Sequence, residues 1–119
     1  MKIVLPITLQ SKQKQSNFMG ARANVVLDYG KNQKIYLYSH WGGESLEEVL
    51  KDALERGKSR WNDDSYLARI IFSEMIKDDV LGTTGYGISP YLTDNEYPLL
   101  EVDLNKQTVN DIPFQEFIN

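Results

Sequence analysis

The alternation of apolar and polar positions divides this chain into two β-rich stretches around a helical centre. RANVVLDYG (22–30) and KIYLYSHW (34–41) flank Gly30-Lys31-Asn32-Gln33. Two β-rich runs joined by a short glycine-containing loop predict a β-hairpin. In the second run a period of two puts Ile35 and Leu37 on one face and Tyr36 and Tyr38 on the other. Upstream, IVLPITL (3–9) reads as a strand whose Pro6 suits a sheet edge, followed by the polar loop QSKQKQSN (10–17).

The period changes to that of a helix in GGESLEEVLKDALERG (42–57). Leu46, Val49, Leu50, Ala53 and Leu54 form one apolar stripe, Ser45 and Glu48 have capping-box spacing, and Gly57 is placed to end the helix in a left-handed conformation. A second helix is expected from Asp64 to Lys77, capped by Asp63 or Asp64. Its apolar residues cover more than one face, which predicts burial around most of its circumference and leaves Tyr66, Arg69, Ser73 and Lys77 as a narrow polar row. Two further β-like runs follow, YGISPYL (86–92) and YPLLEVDL (97–104), then a turn at NKQ (105–107). Asn110 or Asp111 with Pro113 is expected to start a short terminal helix through Phe117. Strands, two helices and more strands in that order define an α+β domain, an antiparallel sheet packed on a helix pair.

Length and composition narrow the setting. A chain of 119 residues with 41% hydrophobic and 25% charged positions is expected to form a single domain, 1–119, with a core of its own. It has no cysteine, which excludes disulfides and thiolate metal sites and makes the cytoplasm the natural compartment. The first ten residues are too short an apolar run for a signal peptide, and no stretch approaches the roughly 20 apolar residues that span a bilayer. A net charge of −4 argues against a long nucleic acid as partner, while leaving room for a local basic pocket or an acidic face toward a basic protein.

Several short patterns carry candidate chemistry. Gly57-Lys58-Ser59 suggests a phosphate loop, but the position five residues before Gly57 is Asp52, within the first predicted helix, so that reading fails. A zinc site around His40 lacks ligand spacing, no cofactor motif is present, and the adjacent Asp63 and Asp64 are best explained as a helix cap and first-turn acid. His40-Trp41-Gly42-Gly43 at a strand-to-helix junction either brings backbone N–H groups close to an anion or makes a tight turn. Arg56 and Lys58 complement the C-terminal dipole of the first helix, whereas Arg60 and Trp61 fall beyond it. Arg69, on a largely buried helix, calls for a phosphate or for an internal ion pair with Asp63, Asp64 or Glu101. Tyr86, Tyr91 and Tyr97, near Gly82, Gly85 and Gly87, offer rings for base stacking or simply pack.

YLYSHWGGE, RWNDDSYLARIIFSEMI and the later GYGIS and VDLNKQTV segments together cover most of Ile35 to Val109. In the joint spacing of HWGG, RWxD and YLAR the chain resembles a family of small phage and prophage proteins. That resemblance implies an anti-defence role in the infected host. It points to the anti-CBASS sponges, oligomers that bind a cyclic-nucleotide immune signal without cleaving it, and secondly to inhibitors of the anti-CRISPR type that bind a host protein. The family's own site residues are not carried over. A cyclic dinucleotide needs a few cations and aromatic platforms, for which Arg60, Arg69, Lys58 or Arg22 would hold phosphate. Trp41, Trp61, Tyr66 or Tyr86 would stack a base, and Asp63 or Asp64 would accept from a base edge. Such a pocket suits a homo-oligomer and needs no catalytic residue. The competing readings are a direct protein inhibitor presenting its acidic segments and a nucleotide hydrolase using His40, Asp63 and Asp64.

Overall fold

In the computed structural model the described residues are 20–119, so the expected strand at 3–9 and the loop at 10–17 lie outside them. Six strands form one sheet in the order β3-β2-β1-β4-β5-β6. The strands are β1 (Ala23–Asp28), β2 (Lys34–Ser39), β3 (Tyr86–Ser89), β4 (Leu100–Asp103), β5 (Thr108–Val109) and β6 (Ile112–Pro113). Helices α1 (Leu46–Arg56) and α2 (Asp64–Ile76) pack on the sheet, and a short α3 (Phe114–Ile118) closes the chain. The class is α+β.

The predicted hairpin forms, with Val25 opposite Leu37 and Leu27 opposite Ile35. Tyr29 donates its backbone N–H to Gln33 O at 2.9 Å, closing a turn in which Gly30, Lys31 and Asn32 all take positive φ. The sheet departs from the antiparallel expectation at one place: β1 and β4 run parallel, Val25 beside Leu100 and Leu27 beside Val102. A parallel pair requires a long crossover, and here the chain between Asp28 and Leu100 supplies α1, α2 and β3.

One apolar cluster joins the helices to the sheet. Val25, Leu27, Leu37 and Val102 meet Leu50, Ala53, Leu54, Leu67 and Ile71, and Phe114 of α3 is 1% exposed among them. The expected stripe of α1 is buried except Val49, which is half-buried. Helix α2 begins at the predicted cap: Asp63 accepts from the backbone N–H of Tyr66. As expected, most of its circumference is covered: Leu67, Ile70, Ile71 and Met75 are buried and Ala68, Phe72 and Ile76 pack against the cluster, while Tyr66, Arg69 and Lys77 of the polar row are exposed.

Three local expectations fail for identifiable reasons. Ser45 makes no capping bond to the helix, because its hydroxyl donates back to Gly42 O at 3.3 Å. Gly57 has φ −92°, and the chain continues through a 3-10 turn at Lys58–Arg60 instead of reversing in a left-handed cap. Asn110 and Asp111 do not start α3. Both have positive φ and form the two-residue turn between β5 and β6, so the helix begins at Phe114 with Pro113 as its cap.

The only charge in the apolar run IIFSEMI, Glu74, is 8% exposed and is held from two sides. Arg56 at the end of α1 reaches it at 2.8 Å and Lys77 at 2.8 Å, so this interaction ties the two helices together. Lys77 and then Arg56 hold the carboxyl below its usual value against the opposing effect of burial. A depressed carboxyl pKa in the folded state stabilises above the unfolded value and is lost as pH falls through the folded one. We therefore expect Glu74→Gln to cost about 2 kcal/mol at neutral pH. In denaturant titrations the gap between wild type and variant should narrow below pH 4.5, the ordinary value. A gap independent of pH would show that the carboxylate's charge contributes nothing.

Candidate functional site

The residues singled out in the sequence fall into two groups at opposite ends of β1. His40, Trp41, Gly42, Gly43 and Tyr86 gather where β1 begins and β2 ends, since Ala23 pairs with Ser39 and Ser39 with Tyr86. Lys58, Arg60, Trp61, Asp63, Asp64, Tyr66 and Arg69 lie at the α1–α2 corner. That corner sits beside the far end of β1: Gln107 donates to Asn62 at 2.6 Å, and Asn105 donates to Tyr29 O at 3.0 Å, just past Asp28. Six residues of strand separate the two ends by about 17 Å. The structure does not gather them into one pocket.

At the first end the polar groups are occupied within the fold. Gly42 N–H donates to Ser39 Oγ at 3.0 Å and Gly43 N–H to Ala21 O at 2.9 Å, so neither points outward at an anion. Neither glycine has positive φ. Gly43 is needed for close approach instead, because a Cβ there would overlap the Tyr97 ring. Arg22 is held by Glu96, which accepts from its backbone N–H at 2.9 Å and from Nη1 at 3.0 Å. His40 Nδ1 lies 2.7 Å from the Tyr38 hydroxyl, whose pKa is pushed up mainly by burial. The imidazole meets Trp41 edge-on at 5.2 Å. Trp41 is 56% exposed and rests on Gly85, whose φ of +102° and missing Cβ make room for the indole. Tyr86 packs against the core cluster.

The second end divides into packing and exposed chemistry. Trp61 belongs to the packing: its indole N–H donates to Leu54 O at 2.9 Å and its ring meets Phe114 at 5.2 Å. It fastens the 3-10 turn to the core and is not a free stacking surface. Lys58 pairs with Glu55 at 3.3 Å. Arg60 extends over the exposed ring of Tyr66, 4.5 Å from its centroid, with Asp63 3.9 Å from its guanidinium. Asp64 is exposed on the first turn of α2. Arg69 is exposed one helical turn beyond Tyr66 and makes no ion pair among the described residues, with Asp63, Asp64 or Glu101 included. The expectation of a buried guanidinium is corrected, since α2 turns this row to solvent.

The structure also brings forward residues that the sequence patterns did not mark. Asn24, within the apolar run of β1, is fully buried and donates to Asp94 O at 3.0 Å and Asn95 Oδ1 at 3.1 Å, holding the β3–β4 connection over the sheet. Its place inside ANVVLD was the available signal. Near the second end, Tyr29, Asn32, Gln33, Lys34 and Tyr36 line an open groove of about 800 Å³. Among the described residues no cluster of His, Asp and Glu is placed to hold a metal ion, and no helix is long and apolar enough to cross a membrane.

No protein family, curated protein or solved structure matches the chain. The reading of the site therefore rests on its own geometry.

The two aromatic residues make opposite predictions. Trp61→Ala should lower stability by about 3 kcal/mol, a cavity cost typical of a large packed ring. Tyr66→Ala, at an exposed position, should change it by less than about 1 kcal/mol. Chemical denaturation of both variants checks the assignment, and near-equal losses would mean that Trp61 is not fastened to the core as described.

Proposed function

We propose that this chain is a phage-encoded anti-defence protein that binds a cyclic-nucleotide immune signal and holds it without cleaving it. The observation that supports the reading is the exposed row on α2. Arg60 stacked on Tyr66, followed by Arg69, offers a planar aromatic surface beside two guanidinium groups. Guanidinium groups grip phosphate through paired N–H donors, and an aromatic ring takes a base on its face. Both can act in a protein of net charge −4, because a small ligand needs local cations only. The row is a one-sided platform, so a second copy would furnish the opposite wall, and the functional form in this reading is a homo-oligomer in the cytoplasm of the infected host.

A second reading, direct inhibition of a host defence protein, is favoured by one observation. Residues 76–99 contribute no buried side chain, yet Leu81 is 93% exposed and Ile88, Tyr91 and Leu92 are exposed with it. Exposed apolar side chains concentrated on one stretch suit a protein contact.

Thermal shift with a panel of cyclic di- and trinucleotides separates the two readings. A ligand at a hundred times its Kd should raise Tm by about 10 °C, and heating should release it intact. Arg69→Ala and Tyr66→Ala should abolish the shift while leaving unliganded Tm close to wild type. Recovery of a cleaved product would replace sequestration with hydrolysis. No shift with any member would remove the nucleotide reading and leave capture of host defence proteins as the test of the second.

A further inference from the structure

Among the described residues the outer edge of β2 is only partly covered. Strand β3 pairs with it from Ser39 to Tyr36 and stops at Ser89, leaving Lys34 and Ile35 without a β3 partner among the described residues. The cause is local: Pro90 follows immediately, and the Ser89 hydroxyl donates to Tyr91 O, turning the chain off the sheet before it reaches Lys34. Proline lacks the N–H a ladder needs.

The direction of the Lys34 backbone follows from the register. In an antiparallel ladder, directly opposed residues alternate between pairs that exchange N–H···O bonds and pairs that do not. Tyr29 and Gln33 are a bonded pair, since Tyr29 N–H donates to Gln33 O at 2.9 Å. Counting along the ladder, Leu27 with Ile35 is bonded and Asp28 with Lys34 is not. His40 N–H donating to Gly85 O at 2.9 Å gives the same parity on the other side, where even-numbered residues of β2 face β3. Lys34 therefore turns both its N–H and its C=O to this edge, where no described residue pairs with them. They are flanked by Tyr36 on one face of the sheet, Ile35 on the other, and Pro90 at the end of the slot.

We infer that this slot is a nucleobase subsite: a purine base lies in the plane of the sheet and takes the place of the residue that β3 does not supply. It accepts from Lys34 N–H through a ring nitrogen and donates its exocyclic amino hydrogen to Lys34 C=O. Adenine presents those two groups side by side on one edge. The slot suits a base more than a peptide strand, because one residue's pair of backbone groups is open before the hairpin turn begins, and strand addition draws on several such pairs. The groove's volume of about 800 Å³ lies within the range of small-molecule sites. Asn32 and Gln33, exposed at its rim, supply further donors and acceptors for the same ligand. Tyr29 lines the groove as well, and its hydroxyl pKa is raised by burial and then by the negative charge of Asp64. The assignment to a nucleotide rests on the proposed function; the open backbone pair does not.

The test uses the full-length ¹⁵N-labelled protein titrated with adenosine 5′-monophosphate, N6,N6-dimethyladenosine 5′-monophosphate and ribose 5-phosphate. The Lys34 amide should shift on addition of the first and stay unmoved with ribose 5-phosphate. The dimethylated nucleotide, which lacks the amino hydrogen, should bind about tenfold more weakly. Tyr36→Ala should weaken the adenosine nucleotide while leaving the ladder amides of β1 in place, which guards against misfolding as the cause. A Lys34 amide that moves with no base-containing probe, or equally with ribose 5-phosphate, overturns the subsite. If cyclic dinucleotides stabilise the protein through Arg60, Tyr66 and Arg69 with Lys34 silent, the slot fails and sequestration stands. If adenosine nucleotides move Lys34 but no cyclic nucleotide stabilises the fold, the slot stands and sequestration fails.

Discussion

Strand β1 is the constraint on which the architecture depends. Val25, Val26 and Leu27 are each at most 2% exposed, so the strand is buried on both faces and must have a neighbour on each edge. One neighbour comes cheaply in conformational entropy, through the Gly30–Gln33 turn. The other, β4, lies far along the sequence and runs parallel, so the chain has to leave the sheet and return from the other end. That journey places α1 and α2 over one face and sends β3 to the outer edge of β2. The separation of the two polar groups by the length of β1 is a product of the same route.

Much of this was legible, and the failures share a cause. The hairpin, the stripe of α1 and the Asp63 start of α2 depend on neighbours within a few residues, and each appears where the pattern put it. The parallel partner could not be read, because LEVD alternates in the same way whichever direction its neighbour runs. Local chemistry makes Gly57 a stop, but the Trp61 anchor to Leu54 and Phe114 draws the chain onward into a 3-10 turn. The polar row of α2 was identified correctly as a row. What failed is the internal partner expected for Arg69, since periodicity gives the face of a residue and not what covers it.

The basic stretch ERGKSR resolves residue by residue. Arg56 leaves the helix dipole to hold buried Glu74, Lys58 pairs with Glu55, and Arg60 takes the face of Tyr66. These cations have structural work in different degrees, with Arg56 tied to a nearly buried carboxylate and Arg60 at 3.9 Å from an exposed one. Candidate chemistry thus increases from Arg56 toward Arg69 as internal pairing falls away.

Between Lys77 and Leu99 no side chain is fully buried, and only Tyr86 and Tyr97 pack against the core cluster, although the stretch includes a strand of the sheet. It is secured from outside: Asn24 holds Asp94 and Asn95, Arg22 holds Glu96, and Gly43 admits the Tyr97 ring. Opening it would uncover Tyr86 and Tyr97 and break the β2–β3 ladder, while the fully buried side chains of β1, β2, β4 and both long helices keep their shared cluster. Stability is therefore unevenly spread over the described residues. This arm carries fewer buried apolar contacts than the core, so it is where local opening costs least.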